Sequence, residues 1–204
     1  MSGEGYVKYS AEHTAAPAVQ AAHWDELNNA RTRLHQLNLV GVTSGGIGFG
    51  NVSIRVKGNE FLITGTNTGS LPVLSPNEYC LVNSFDLERN CVVSTGPVRA
   101  SSESMTHGAI YQSCSKANCV IHIHSREIFD AMLRDRYPAT PVSAAYGTPE
   151  IAQAIKKCVQ EINGNEGVIV LAGHDEGVIA YGETVERTLD LILELDRKYR
   201  ANNT

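Results

Sequence analysis

The run Asn118-Cys119-Val120-Ile121-His122-Ile123-His124-Ser125 decides how this chain is read. It is short and apolar, the pattern of a buried strand. Side chains at i and i+2 on a strand leave the same face, so His122 and His124 project side by side. Two adjacent imidazoles can share one metal ion, and imidazole suits zinc and other late divalent metals. A histidine pair of this kind is weak on its own, because buried histidines also serve as ordinary polar residues of a core.

Helices and short strands alternate outward from this run. A stripe of Trp24, Leu27, Leu34 and Leu37 predicts a helix from about Ala18 that stops before Gly41, with Arg31 and Arg33 among its polar positions. Thr43-Ser44-Gly45-Gly46-Ile47-Gly48-Phe49-Gly50 is a glycine loop feeding a strand at 52–56. A hairpin at Lys57-Gly58-Asn59 returns through 60–64, and a second loop, Gly65-Thr66-Asn67-Thr68-Gly69, follows. Further strands are expected at 79–84, 91–94, 168–171 and 178–181. Helices are expected at 102–115, 151–162 and 184–200. Strands flanked by helices and joined by hairpins imply an α/β fold with a mixed sheet covered on both faces. Residues 1–17 carry little pattern and read as a loose arm ahead of one domain spanning 18–204.

Composition narrows the function classes. The chain has 204 residues, 42% of them hydrophobic, and a net charge of -5. That size suits one core, and the acidic balance excludes a basic nucleic-acid footprint. No apolar stretch reaches membrane-spanning length, and no secretion signal is visible. The five cysteines are odd in number and form no CxxC. They suit a reducing compartment, so a cytoplasmic location is expected.

Other chemistry-bearing residues are scattered along the chain. His174 follows the apolar run 168–171, and the ends of buried strands are common site positions in open α/β sheets. Beside the histidine pair it would complete a three-histidine set with an open coordination position, the catalytic pattern for zinc. The plainer reading is a loop histidine in a turn. Glu103 begins a helix in Ser101-Ser102-Glu103, either as a charge complementing the helix dipole or as a general base near a metal. The same helix start, with its serine hydroxyls, could hold phosphate. His107 lies four residues on and shares that helical face. The two glycine loops match neither a P-loop nor a dinucleotide fingerprint. Each could be an anion nest or simply a turn. His13, His23 and His35 read as surface or helix residues.

Taken in order, Gly50-Asn51-Val52-Ser53, the Thr-Gly loop at 64–69, Ser101-Ser102-Glu103, His122-Ile123-His124-Ser125 and His174 resemble the class II aldolase/adducin family. Its members include fuculose-1-phosphate aldolase and ribulose-5-phosphate 4-epimerase. The resemblance covers roughly residues 20–200 and implies a three-layer α/β/α fold with a mixed, largely antiparallel central sheet. It implies one divalent metal per chain, usually Zn2+, on His122, His124 and His174. It also implies a substrate phosphate held by Gly50, Asn51, Thr68, Gly69, Ser101 and Ser102. Glu103 would be the acid/base; a glutamate there resembles the aldolases, whereas the epimerase has an aspartate. The implied reaction is retro-aldol cleavage of a small ketose phosphate through a metal-stabilised enediolate. Epimerisation or ketose-phosphate dehydration on the same site, or an adducin-like binding module, are the alternatives. The implied assembly is a homotetramer with sites at subunit interfaces.

Three departures stand out. Asp175-Glu176 separates His174 from Gly177, where the aldolase pattern runs His-Gly directly. The added acids could shift the histidine or add charge at the site. Segment 125–148 is short and lacks the stretch that carries a tyrosine into the neighbouring site, leaving Tyr137 or Tyr146 as possible substitutes. The phosphate loop holds about one extra residue, so Thr66-Asn67 competes with Thr68-Gly69.

Overall fold

Alternation along one strand sorts the molecule into layers. Cys119, Ile121 and Ile123 belong to one buried apolar cluster, and Val120 belongs to another. The computed structural model describes residues 7–200. In chain order its elements are strand β1 (Ser10–Ala15), helix α1 (Trp24–Gln36), and strands β2 (Gly41–Val42), β3 (Gly48–Phe49), β4 (Asn51–Lys57), β5 (Glu60–Thr64), β6 (Tyr79–Asp86) and β7 (Cys91–Gly96). Helix α2 (Ser104–Ser113), strand β8 (Cys119–His124), and helices α3 (Arg126–Arg134) and α4 (Pro149–Ile162) come next. Strands β9 (Gly167–Val170) and β10 (Gly177–Gly182) and helix α5 (Val185–Tyr199) close the chain.

Eight strands form one sheet in the order β1-β7-β6-β5-β4-β8-β10-β9. Every pairing is antiparallel except β1 with β7. Helices α1, α3 and α5 cover one face through Leu27, Leu34, Ile128, Met132 and Ile192. Helices α2 and α4 cover the other through Met105, Ile110, Ile151 and Ile155. The fold is thus α/β, three-layered, with a mixed and mostly antiparallel sheet. Burying each of these aliphatic side chains contributes about 1.5–3 kcal/mol, so the two apolar clusters are the main stabilising term.

Strand β8 lies between β4 and β10. Its even positions face the α2/α4 side, which places His122 and His124 on that face at the strand's end. The register pairs Asn51 with His122 and Gly177 with His124.

Three features differ from the sequence expectations. Residues 10–15, assigned to a loose arm, form the edge strand β1, because their backbone completes the open edge of β7; residues 1–6 of that arm lie outside the described residues. Helix α1 starts at Trp24 rather than near Ala18, after His23 in a left-handed conformation with φ 62°. Helix α3 was not expected, although its signals are local. Ser125 Oγ accepts a hydrogen bond from the Ile128 N–H at 3.3 Å, and Ile128, Phe129 and Met132 fall on one buried stripe. No helix among the described residues is long and apolar enough to cross a membrane.

Candidate metal centre and its pocket

The turn between β9 and β10 brings the third histidine to the other two. Leu171 N–H donates to the Gly177 carbonyl, His174 N–H to the Leu171 carbonyl, and Gly177 N–H to the His174 carbonyl, at 2.8–2.9 Å. This tight closure turns His174 back over β8. His124 Nε2 and His174 Nε2 stand 3.0 Å apart, and one ring nitrogen from each of His122, His124 and His174 falls within 4.8 Å of the others. All three side chains are buried. Neither ring nitrogen of His122 has a hydrogen-bond partner among the described residues. Burial favours the neutral imidazole, pushing His124 down to about 3 and His122 well below its ordinary value, with the neighbouring histidines adding to the effect. Metal ligation requires neutral imidazole. Three buried, convergent imidazoles, with the His122 nitrogens unpartnered, fit one divalent ion.

Glu103 approaches from α2. It is buried, and its Oε2 accepts a hydrogen bond from Thr106 Oγ1 at 2.9 Å. Its Oε1 has no hydrogen-bond partner among the described residues and lies 4.0 Å from His174 Nε2. The residue is the N-cap of α2, yet its side chain does not cap the helix. The dipole-complementing role open to it in the sequence therefore leaves its carboxylate aimed at the histidines.

All ten proposed site residues line the same pocket. Asn51, preceded by Gly50, opens β4 and pairs with His122. Ser101 and Ser102 precede α2, where Ser101 Oγ accepts a hydrogen bond from the Glu103 N–H at 3.2 Å. Thr68 and Gly69 form the opposite wall, and Thr66 and Asn67 line the pocket with them. Gly69 is pressed against β2 so closely that an added Cβ would lie 2.1 Å from the Gly41 carbonyl oxygen. No other residue fits there.

The loop is held from a distance, by a residue that sequence reasoning left among the polar positions of a helix. Arg31 is 3% exposed and reaches across from α1. Its guanidinium donates to the carbonyls of Thr68 at 3.1 Å, Gly69 at 3.4 Å, Pro72 at 3.1 Å and Leu71. Asn28, one turn earlier, donates to the Leu74 carbonyl at 2.9 Å. Carbonyl capping by an arginine distant in sequence leaves no motif to find.

The remaining candidates separate cleanly. Tyr146 lines the pocket with its ring 4.8 Å from that of His174, and Phe49 flanks His124 at 5.5 Å. Tyr137 instead sits beside Lys198 in the α3/α5 region. His107 is fully buried beneath the site. Its Nδ1 shares a 2.7 Å hydrogen bond with Ser53 Oγ, which also bonds the Tyr111 hydroxyl at 2.8 Å. Asp175 and Glu176 turn outward to Arg126 at 2.5 and 3.3 Å, so their charge goes to a surface ion pair and His174 keeps its place.

The sequence matches the profile of the Class II Aldolase and Adducin N-terminal domain over residues 25–202. The chain belongs to this family. No curated protein matches the sequence significantly. Among solved structures, this class II aldolase/adducin domain is similar to L-fuculose-1-phosphate aldolase from Thermus thermophilus, with 22% identity, TM-score 0.61, and 85% of this chain and 89% of that one covered. YgbL from Klebsiella pneumoniae, described as a candidate aldolase, epimerase or decarboxylase, aligns at 21% identity and TM-score 0.64, covering 87% and 86%. An aldolase II superfamily protein from Pseudomonas syringae aligns at 16% identity and TM-score 0.60, covering 87% and 73%. At these identities the likeness establishes the class II aldolase fold; the reaction is argued from the residues.

Proposed function

We propose that this protein is a divalent-metal-dependent lyase of the aldolase type that cleaves a small ketose phosphate. The observation that carries the reading is the convergence of His122, His124 and His174 with the unpartnered Glu103 Oε1 in one buried pocket. The three histidines would hold the ion, and zinc suits three imidazoles with an open position. When bound, the ion supplies Lewis-acid polarisation of a substrate carbonyl.

The residues supply the rest. In cleavage, the carbon–carbon bond breaks and the hydroxyl proton of the departing aldehyde is removed. The carbon next to the carbonyl keeps the electron pair and takes up a proton. Glu103 can serve both transfers, because Thr106 anchors Oε2 while Oε1 faces the pocket. Ser101 and Ser102, the Thr68-Gly69 loop, and Gly50-Asn51 surround the space for the phosphate with N–H groups and hydroxyls. No lysine or arginine is among the described residues lining this pocket, so these dipoles carry the anion recognition. Phe49 and Tyr146 flank His124 and His174 with aromatic rings. Val42, Leu71, Val73 and Val142 are exposed apolar side chains on neighbouring segments. They support a homo-oligomer, a tetramer by family resemblance, closing over the site. The five free cysteines support a reducing, cytoplasmic setting.

Metal content per chain tests the reading, with His122→Ala/His124→Ala as control. About one divalent ion per parent chain, lost in the control, followed by cleavage in a screen of ketose phosphates, is the expected result. The screen also scores epimerisation and dehydration. Failure to take up metal even on reconstitution would favour an adducin-like binding module.

A further inference from the structure

The segment ahead of the family match touches both ends of this pocket. The match begins at residue 25, yet residues 10–15 add the edge strand β1 to the sheet. Just before it, Tyr9 is 7% exposed and packs in the core of the α2/α4 layer. Its hydroxyl lies 2.9 Å from the Ser101 carbonyl and 3.3 Å from that of Ala100, and donates to this pair. Ser101 begins the Ser101-Ser102-Glu103 turn, and its carbonyl also receives the Ser104 N–H and hydroxyl. Tyr9 therefore grips the backbone on which the serines and Glu103 are built.

Lys8 acts on the segment that packs against His174. Its ammonium sits 3.8 Å from the centre of the Tyr146 ring and donates to the Tyr146 carbonyl at 3.3 Å. The Asn90 side chain joins the Lys8 and Gly147 carbonyls at 3.2 and 3.4 Å, tying the strap to the same loop. Tyr146 packs on His174, and the Ala144 carbonyl is so close to Gly173 that an added Cβ would sit 2.0 Å from it. The 144–147 loop is thus clamped between Lys8 and the turn carrying His174.

We propose that the segment at residues 8–15 braces the active site from behind its lining, in that Tyr9 positions the Ser101–Glu103 turn and Lys8 positions Tyr146 against His174. Both are positioning residues, since neither lines the pocket. The assignment of the two ends to phosphate and metal rests on the proposed function; the mechanical coupling does not.

The full-length chain tests this with Tyr9→Phe, Lys8→Met and Lys8→Arg. Tyr9→Phe keeps the ring and removes one hydroxyl, so inorganic phosphate should bind about fivefold more weakly. Zinc affinity should stay within about twofold of the parent, because Tyr9 bonds only the Ala100 and Ser101 carbonyls and none of the three histidines. Lys8→Met should do the reverse, weakening zinc about threefold through loss of the cation–π contact, and Lys8→Arg should restore it. Amide exchange in the ligand-free protein should rise at residues 101–104 in Tyr9→Phe and at 172–176 in Lys8→Met, with α5 unchanged. Exchange that stays at parental rates in both segments overturns the proposal. So does an equal loss of phosphate and zinc in both variants, which would make the strap a support of the fold alone. A parent that binds neither phosphate nor zinc refutes the proposed function, and the exchange rates still decide the coupling.

Discussion

His122 and His124 stand on a central strand laddered on both sides, whereas the Thr68-Gly69 loop is held by an arginine from another layer of the molecule. At the histidine end, β4 and β10 fix the backbone of β8, and strand alternation aims the two rings. At the loop end, the backbone carbonyls of 68, 69, 71 and 72 have no ladder to join. Arg31, about forty residues earlier in sequence, gathers them instead. One end depends on regular backbone pairing. The other depends on a single buried charge satisfied by carbonyl oxygens, which is expensive to disturb.

Breaking the histidine end should have the largest consequence. His122→Ala/His124→Ala is expected to abolish metal uptake and turnover together, measured by elemental analysis and ketose-phosphate cleavage. Glu103→Gln should lower turnover by about 10³-fold, the middle of the range for a lost acid/base group, while metal content stays at the parental level. Unchanged turnover in this variant would remove Glu103 from the mechanism.

Arg31→Met probes the loop end. Hydrogen bonds to charged groups contribute about 1.5–3 kcal/mol each, so the 65–74 segment should loosen and KM for the sugar phosphate should rise at least about tenfold. Metal stoichiometry should not move. Metal lost together with substrate affinity would show that the two ends are not separately supported.

Acidification separates the ends by charge. Burial holds His107 and His124 down to about 3 in the fold, against an ordinary value of 6.5. Between these values the unfolded chain binds more protons than the folded one. The metal-free protein should therefore keep its full stability above about pH 6.5 and lose it steadily as the pH falls toward 3. Thermal melts across that window check the sign, and His107→Gln should flatten the slope.

The smallest effect is expected at the inserted acids. Asp175 and Arg126 are largely solvent-exposed, and such pairs contribute less than about 1 kcal/mol. Asp175→Asn should leave zinc affinity within about twofold of the parent, by competition with a chelator. A large loss would mean that the outward-facing pair, and not the β9–β10 turn, holds His174.

Particular residues show which parts of the molecule were legible in the sequence. The apolar run around His122 announced a buried strand, and its period of two put both imidazoles on one face. Hairpin residues at 57–59 and the apolar stripes of α1, α4 and α5 announced the layers. These are local signals, because hydrogen-bonded periodicity imposes them over a few residues. Helix α3 carries the same kind of signal at Ser125, Ile128 and Met132.

Other placements had no local signal. Residues 10–15 look patternless until the open edge of β7 gives them a partner. Arg31 falls among charged neighbours and is buried only because the 65–74 segment folds over it. Tyr146 and Tyr137 are equivalent in sequence, and packing against His174 distinguishes them. The α/β class, the strand that presents the paired histidines and the candidate donors could all be read from residue order alone. Which loops close around those residues, and what holds the loops, emerged only in three dimensions. Strand and helix periodicity are properties of neighbouring residues, whereas the satisfaction of loop carbonyls and buried charges depends on groups brought together by the whole fold.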